Sequence, residues 1–66
     1  MRITVNGEDM TVEESCTVAE LVARCDLGGT ACAVEVNKRL VPSRRHGEHR
    51  LAEGDTVELV TLVGGG

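Results

Sequence analysis

The chain has 66 residues, a formal net charge of −4 and no aromatic residue. A chain of this length buries only about 60% of the surface that its unfolded form exposes, which leaves room for one domain and excludes a deep catalytic cleft. The acidic balance argues against general binding to nucleic acid or to anionic membranes, and no apolar run approaches the roughly 20 residues that cross a bilayer.

The first 13 residues predict a β-hairpin. Ile3 and Val5 alternate with polar residues, as on a half-buried strand, so this start does not resemble a signal peptide. Asn6-Gly7 is the strongest short hairpin signal, and Met10 resumes the alternation on a second strand that ends near residue 13.

A short amphipathic helix is predicted next. Thr17 and Glu20 have the spacing of a capping box. The apolar residues that follow recur at i, i+3, i+4 and i+7, namely Val18, Leu21, Val22 and Cys25. Gly28-Gly29 is expected to end the helix. Glu13 and Glu14 precede it, where a positive helix N-terminus would favour carboxylates.

Two extended segments follow the helix. Ala31 to Val36 predicts a strand with Cys32, Val34 and Val36 facing one way and Glu35 the other. The residues Asn37-Lys38-Arg39 predict a turn into a brief extended piece, Leu40-Val41, which Pro42 closes.

The stretch from Ser43 to Arg50 is polar and is expected to be irregular, with Leu51 after it as an apolar anchor. Its basic cluster, Arg44 to Arg50, could meet an acidic partner or a phosphate, but such a run is more often a solvated loop. Glu53-Gly54-Asp55 predicts a turn before the last strand, Thr56 to Val63.

These elements predict an α+β fold with a mixed four- to five-stranded sheet and one helix packed on one face. The first and last strands are the most apolar and are expected side by side at the centre. In the last strand, Val57 and Leu59 should face the helix. Val60 and Leu62 should then lie on the open face, where they form a candidate docking patch for a partner.

The three cysteines, Cys16, Cys25 and Cys32, cannot all pair in disulfides and show no Cys-x-x-Cys spacing. This favours a reducing, cytoplasmic compartment in which each thiol acts as a small hydrophobe. Besides the cysteines, the candidate metal ligands are His46 and His49, which lie in a predicted loop. Neither a metal site nor a bound cofactor is expected.

The chain stops at Gly64-Gly65-Gly66. Glycines at the end of a strand add nothing to a core and are costly to order, so a frayed end is one interpretation. The alternative is that a segment without Cβ atoms enters a slot too narrow for other residues. It would then carry the Gly66 carboxylate into the active site of another protein.

The order of elements, the segment Asn37 to Pro42, the turn Glu53 to Asp55 and the terminal Gly-Gly occur together at a specific spacing. In these features the whole chain resembles the sulfur carriers of thiamin biosynthesis, the ThiS family, which have a ubiquitin-like β-grasp fold. The resemblance implies a β-grasp domain over residues 1–63 and a flexible tail over residues 64–66. This chain departs from the pattern in its third glycine and in lacking an aromatic residue in the last strand.

The resemblance also implies a carrier and not an enzyme. A ThiF-like adenylating enzyme would use ATP to couple the Gly66 carboxylate to AMP. Sulfur from a cysteine-derived persulfide would convert it to a thiocarboxylate, which thiazole synthase would use to build the thiazole ring. Gly64 and Gly65 would lie in the narrow channel of the partner.

Three other interpretations stay open at this point. A sulfur carrier for molybdopterin also ends in Gly-Gly on a β-grasp fold, although such chains tend to be longer and richer in aromatic residues. A ubiquitin-like modifier would be conjugated to lysines through Gly66. A plain β-grasp interaction module would function equally well without its glycines.

Overall fold

The chain forms one mixed sheet with a helix against one face. The computed structural model describes residues 1–25 and 32–61. Its strands are β1 (Arg2–Val5), β2 (Glu8–Thr11), β3 (Cys32–Val36), β4 (Arg39–Val41) and β5 (Thr56–Thr61), and its helix is α1 (Val18–Arg24). The sheet order is β2-β1-β5-β3-β4, which confirms the predicted mixed sheet with one helix.

The last strand lies at the centre of the sheet. It pairs in parallel with β1, with Thr4 opposite Thr56, and antiparallel with β3, with Val36 opposite Val57 and Cys32 opposite Thr61. The first and last strands are therefore neighbours, as predicted. The part of the last strand expected at residues 62 and 63 lies outside the described residues.

Two tight turns join the antiparallel hairpins. In the turn between β1 and β2, Asn6 and Gly7 have φ angles of 50° and 84°. In the turn between β3 and β4, Asn37 and Lys38 have φ angles of 52° and 70°. Positive φ at both central residues is the mark of a type I′ turn, whose twist matches that of the flanking strands. Both of these predicted turns are confirmed, as is the predicted turn before β5, where Gly54 has a φ of 84°. Lys38 occupies a position that glycine would adopt without strain.

The helix begins with the predicted capping box. The Thr17 hydroxyl accepts a hydrogen bond from the Glu20 amide at 3.2 Å, and the Glu20 carboxylate accepts one from the Thr17 amide at 3.0 Å. Val18 and Leu21 are fully buried. The described helix ends at Arg24, with Cys25 as its C-cap, so the stop predicted at Gly28-Gly29 lies outside the described residues.

Aliphatic side chains from both layers make a single core. Its buried members are Ile3, Val5, Val12, Cys16, Val18, Leu21, Val34, Val36, Val41, Leu51 and Val57. Leu51 is only 4% exposed, which confirms it as the anchor after the polar segment. No helix in the described part of the chain is long and apolar enough to span a membrane.

The polar segment after β4 is more ordered than its sequence predicts. It contains a short 3₁₀ turn, Ser43–Arg45, and its backbone completes the N-terminus of α1. The Val18 amide donates to the His49 carbonyl and the Ala19 amide to the His46 carbonyl, each at 2.9 Å. Amides in the first helical turn have no partner within the helix, so these carbonyls satisfy them.

The position of Glu13 differs from the prediction. Its carboxylate receives two hydrogen bonds from the Arg24 guanidinium, at 2.8 and 2.9 Å, and Arg24 lies in the last turn of the helix. Glu13 thus interacts with a side chain near the C-terminal end of α1 and not with the helix N-terminus. Its own backbone amide and Arg24 hold the pKa of the Glu13 carboxyl below its usual value.

Candidate partner-docking site

Side chains of β5 alternate between the core and the open face of the sheet. Val57 is fully buried and Leu59 packs against the core, whereas Glu58 and Val60 are exposed on the other face. The predicted alternation is therefore confirmed from Val57 to Val60, and the described strand ends one residue later at Thr61. The other residues assigned to partner contact, Leu62, Gly64, Gly65 and Gly66, lie outside the described residues.

Two large apolar side chains are exposed on the open face. Among the described residues Leu40 is 64% and Val60 is 53% exposed, and no other large hydrophobic residue is classed as exposed. Ala33 of β3 lies opposite Val60 of β5. Leu40 of β4 lies opposite Glu35, which is also on β3. Leu40 was not predicted as a site residue. The signal for it was local, since Val41 is buried and its neighbour on a strand must point the other way.

A pair of carboxylates lies beside these apolar residues. Glu35 of β3 is directly opposite Glu58 of β5, and both belong to the open face because Val34, Val36 and Val57 face the core. Side chains at such positions have Cβ atoms about 4.5–5.5 Å apart. The ion pair found in the described part of the chain joins Arg24 to Glu13, so no cation from residues 1–25 or 32–61 bridges Glu35 and Glu58.

Asparagine side chains from the two tight turns bond to the backbone of β5 at two points, Thr56 and Leu59. The Asn6 side chain accepts a hydrogen bond from the Leu59 amide at 2.9 Å and donates to the Leu59 carbonyl at 3.4 Å. At the other end, the Asn37 side-chain oxygen accepts from the Thr56 amide at 3.0 Å. The Asn6 contact extends the pairing of β5 beyond the end of β1, and the Asn37 contact fixes the first residue of the strand.

The thiols are poorly placed for chemistry. Cys16 is 3% exposed, and burial, followed by the negative charge of Glu20, raises the pKa of its thiol. Because the thiolate is the nucleophilic form, both effects suppress its reactivity. Cys25 and Cys32 are free and pack against the core. A shallow depression beside α1, lined by Glu13, Cys16, Glu20, Ala23 and Arg24, offers no exposed nucleophile.

Within the described residues, the histidines and arginines after β4 are not arranged as a metal-binding site. The His46 ring Nε2 lies 3.0 Å from the Val41 carbonyl, which gives this ring a structural contact. No group of three His, Cys, Asp or Glu residues within residues 1–25 and 32–61 is arranged to hold a metal ion. Arg44, Arg45 and Arg50 are exposed, as expected of a solvated segment.

The chain is similar to sulfur carrier proteins along its whole length. The family model for the ThiS family matches residues 3–66. The chain is 32% identical over 65 residues to the sulfur carrier protein ThiS of Bacillus subtilis, and the match covers 97% of this chain and 98% of that protein.

A longer relative and a solved structure complete the comparison. A thiazole synthase from Paramagnetospirillum magneticum is 32% identical over 66 residues, and the chain spans 20% of the length of that protein. The crystal structure of the thiamine biosynthesis protein (ThiS) from Geobacter metallireducens has a TM-score of 0.84 and 32% identity, with all of both chains covered. This similarity confirms the β-grasp fold. The chain therefore belongs to the ThiS family, the sulfur carrier proteins of thiamin biosynthesis.

Proposed function

We propose that this protein carries sulfur on its terminal carboxylate, at Gly66, and delivers it for synthesis of the thiazole part of thiamin. The observation that carries the proposal is the full-length similarity to sulfur carrier proteins, which extends through residue 66. The position of β5 supports it, because this central strand, which is paired on both sides, leads toward the glycines. The protein then acts as a carrier and not as an enzyme, in the cytoplasm.

Activation requires ATP because a carboxylate is a poor electrophile. It is an anion, and its oxygen is a poor leaving group. A ThiF-like adenylating enzyme removes this barrier: a carboxylate oxygen of Gly66 attacks the α-phosphate of ATP, and pyrophosphate leaves. The product is a mixed anhydride with AMP, whose acyl carbon accepts a nucleophile.

Sulfur transfer then proceeds at that acyl carbon. The terminal sulfur of a cysteine-derived persulfide displaces AMP and forms an acyl disulfide. A second thiol attacks the cysteine sulfur of this S–S bond and forms a new disulfide with it, and the thiocarboxylate on Gly66 is the leaving group. Thiazole synthase takes the sulfur from this group. The relative named thiazole synthase matches all of this chain over a fifth of its own length. A carrier-like segment within a protein of that name supports thiazole synthase as the partner.

The open face next to the tail supplies the docking patch in this proposal. Val60 gives the partner an apolar contact on this face, and Leu40 extends it. The period of two along a strand assigns Leu62 to the same contact in this proposal. Gly64 and Gly65 let the backbone enter a channel that side chains would block. The chain holds no cofactor of its own, and ATP is bound by the activating partner.

The experiment is a loading assay followed by intact mass measurement. The protein is incubated with its cognate adenylating enzyme, ATP and a sulfide source, and the expected product has one oxygen replaced by sulfur. Deletion of Gly65 and Gly66, or extension by one residue beyond Gly66, should abolish both the AMP adduct and the thiocarboxylate. Circular dichroism of these variants should remain unchanged.

A variant without thiols serves as the matched control. Replacing Cys16, Cys25 and Cys32 together by Ala should leave loading intact if sulfur rides on the terminus. Loading of the extended protein would refute the proposal. Loss of loading in a folded cysteine-free variant would point to a persulfide on one of the thiols.

A further inference from the structure

The open face of the sheet carries two carboxylates where the fold alone would disfavour them. Glu35 and Glu58 are directly opposite each other on neighbouring strands. Like charges at such positions repel, so a neutral or basic residue at either position would make the free domain more stable. The described residues place no cation against them. A partner that brings positive charge would remove this repulsion.

The carboxylates lie within the apolar part of the same face. Leu40 is the neighbour of Glu35 on β4, and Val60 is two residues beyond Glu58 on β5. An apolar patch flanked by charge is a common composition for an interface, because the apolar part contributes affinity while the charges select the partner. Both features point outward from one surface, so a single partner would contact them together.

We propose, building on the function above, that Glu35 and Glu58 dock against a basic surface of the adenylating enzyme and select that partner. An enzyme that brings an anionic carboxylate to ATP, itself a polyanion, needs a positive field at the mouth of its active site. The carrier has a net charge of −4, and two of its carboxylates lie on the open face, that of Glu58 on the strand that leads to the terminus and that of Glu35 on the neighbouring strand. Arginine or lysine side chains on the enzyme therefore complement this face.

The test compares charge reversals on and off the open face. Glu58→Lys and Glu35→Lys are assayed with the adenylating enzyme by ATP-dependent pyrophosphate release, as functions of carrier concentration and of salt. Glu14→Lys is the matched control, since Glu14 is exposed, lies before α1 and changes the net charge by the same amount. Each open-face reversal should raise KM by about tenfold or more, because like charges then meet across the interface.

Two further readouts separate docking from folding. kcat at saturating carrier should change little, and the dependence of KM on salt should become shallower for the open-face variants, but not for Glu14→Lys. Glu58→Gln keeps the size of the side chain and removes the repulsion. It should raise the melting temperature of the free protein while still raising KM, an opposition that a purely structural role would not produce.

The outcomes separate this inference from the proposed function. If the wild-type protein is adenylated and Glu58→Lys and Glu35→Lys show the KM of Glu14→Lys, the acidic contact is refuted and the carrier function stands. If the wild-type protein is not adenylated at saturating enzyme, the carrier function is refuted, and the inference with it.

Discussion

Val57 and Val60 are three residues apart on β5, and the same substitution should be strongly destabilising at Val57 and nearly neutral at Val60. Val57 is fully buried between Val5 of β1 and Val36 of β3, in the same core as the helix residues Val18 and Leu21. Val60 is 53% exposed on the open face. Val57→Ala and Val60→Ala therefore remove the same two methyl groups from environments that differ only in burial.

The magnitude for Val57→Ala follows from those two methyl groups. Loss of transfer free energy amounts to about 1.6 kcal/mol, at about 0.8 kcal/mol for each group. The cavity left in a core without aromatic side chains brings the total to about 2 to 3 kcal/mol. A chain of 66 residues has a total stability of about 3 to 10 kcal/mol, so this one change removes a large share of it.

Thermal and urea unfolding followed by circular dichroism measure the difference. Val57→Ala should lower the melting temperature by about 8 to 24 °C, at about 4 to 8 °C per kcal/mol for a domain of this size. Val60→Ala should stay within about 0.5 kcal/mol of the wild-type protein, as surface substitutions do. If Val60→Ala is as destabilising as Val57→Ala, the assignment of the two faces is wrong, and the proposed docking patch belongs to the core.

Four further variants test the turns, the helix cap and the buried thiol. Lys38→Gly should raise the free energy of unfolding by about 0.5 to 1 kcal/mol in urea titrations, because glycine adopts the φ of 70° without strain. Gly7→Ala should lower the free energy of unfolding, because alanine is strained at the φ of 84° even though its Cβ would meet no atom within 4 Å. If Lys38→Gly and Gly7→Ala changed the stability in the same direction, the argument from positive φ would be contradicted. Thr17→Ala removes the helix cap and should lower the free energy of unfolding by about 1 kcal/mol in the same titrations. An unchanged stability would show that the capping box does not stabilise the protein. Burial raises the pKa of the Cys16 thiol in the folded protein above its pKa in the unfolded chain, which is about 8.5. The protonated thiol therefore contributes its full stabilisation below the unfolded-state pKa, and this stabilisation is lost as the pH rises through the folded-state pKa. Unfolding titrations from pH 7 to 10.5 should show this alkaline decline in the wild-type protein and a weaker one in Cys16→Ala.

Local signals in the sequence were sufficient for most of the fold. Asn6-Gly7 and Thr17 with Glu20 each act over four residues or fewer, so their conformations are set by neighbours in the chain. The alternation along β5 was equally local, because the side-chain period of a strand is fixed at two. These features carried the topology and the placing of Val57 and Val60.

Features that depend on distant parts of the chain were missed. The contact between Glu13 and Arg24 joins residues 11 positions apart, and the carbonyls of His46 and His49 reach a helix some 30 residues earlier. Backbone acceptors leave no trace in side-chain patterns, which is why the segment looked irregular. The opposition of Glu35 and Glu58 likewise requires the register of β3 and β5, which neither strand specifies alone.

The two asparagine contacts on β5 have a mechanical consequence. A partner that grips residues beyond Thr61, and later releases them, pulls along the axis of β5. The hydrogen bonds to β1 and β3 lie across that axis, so a pull loads them together in shear instead of opening them one after another. Asn6 bonds both backbone groups of Leu59, close to where the load enters, and Asn37 holds the far end at Thr56. If the tail enters a narrow channel of the partner, as the proposed function requires, it can be withdrawn without the strands of the sheet separating one hydrogen bond at a time.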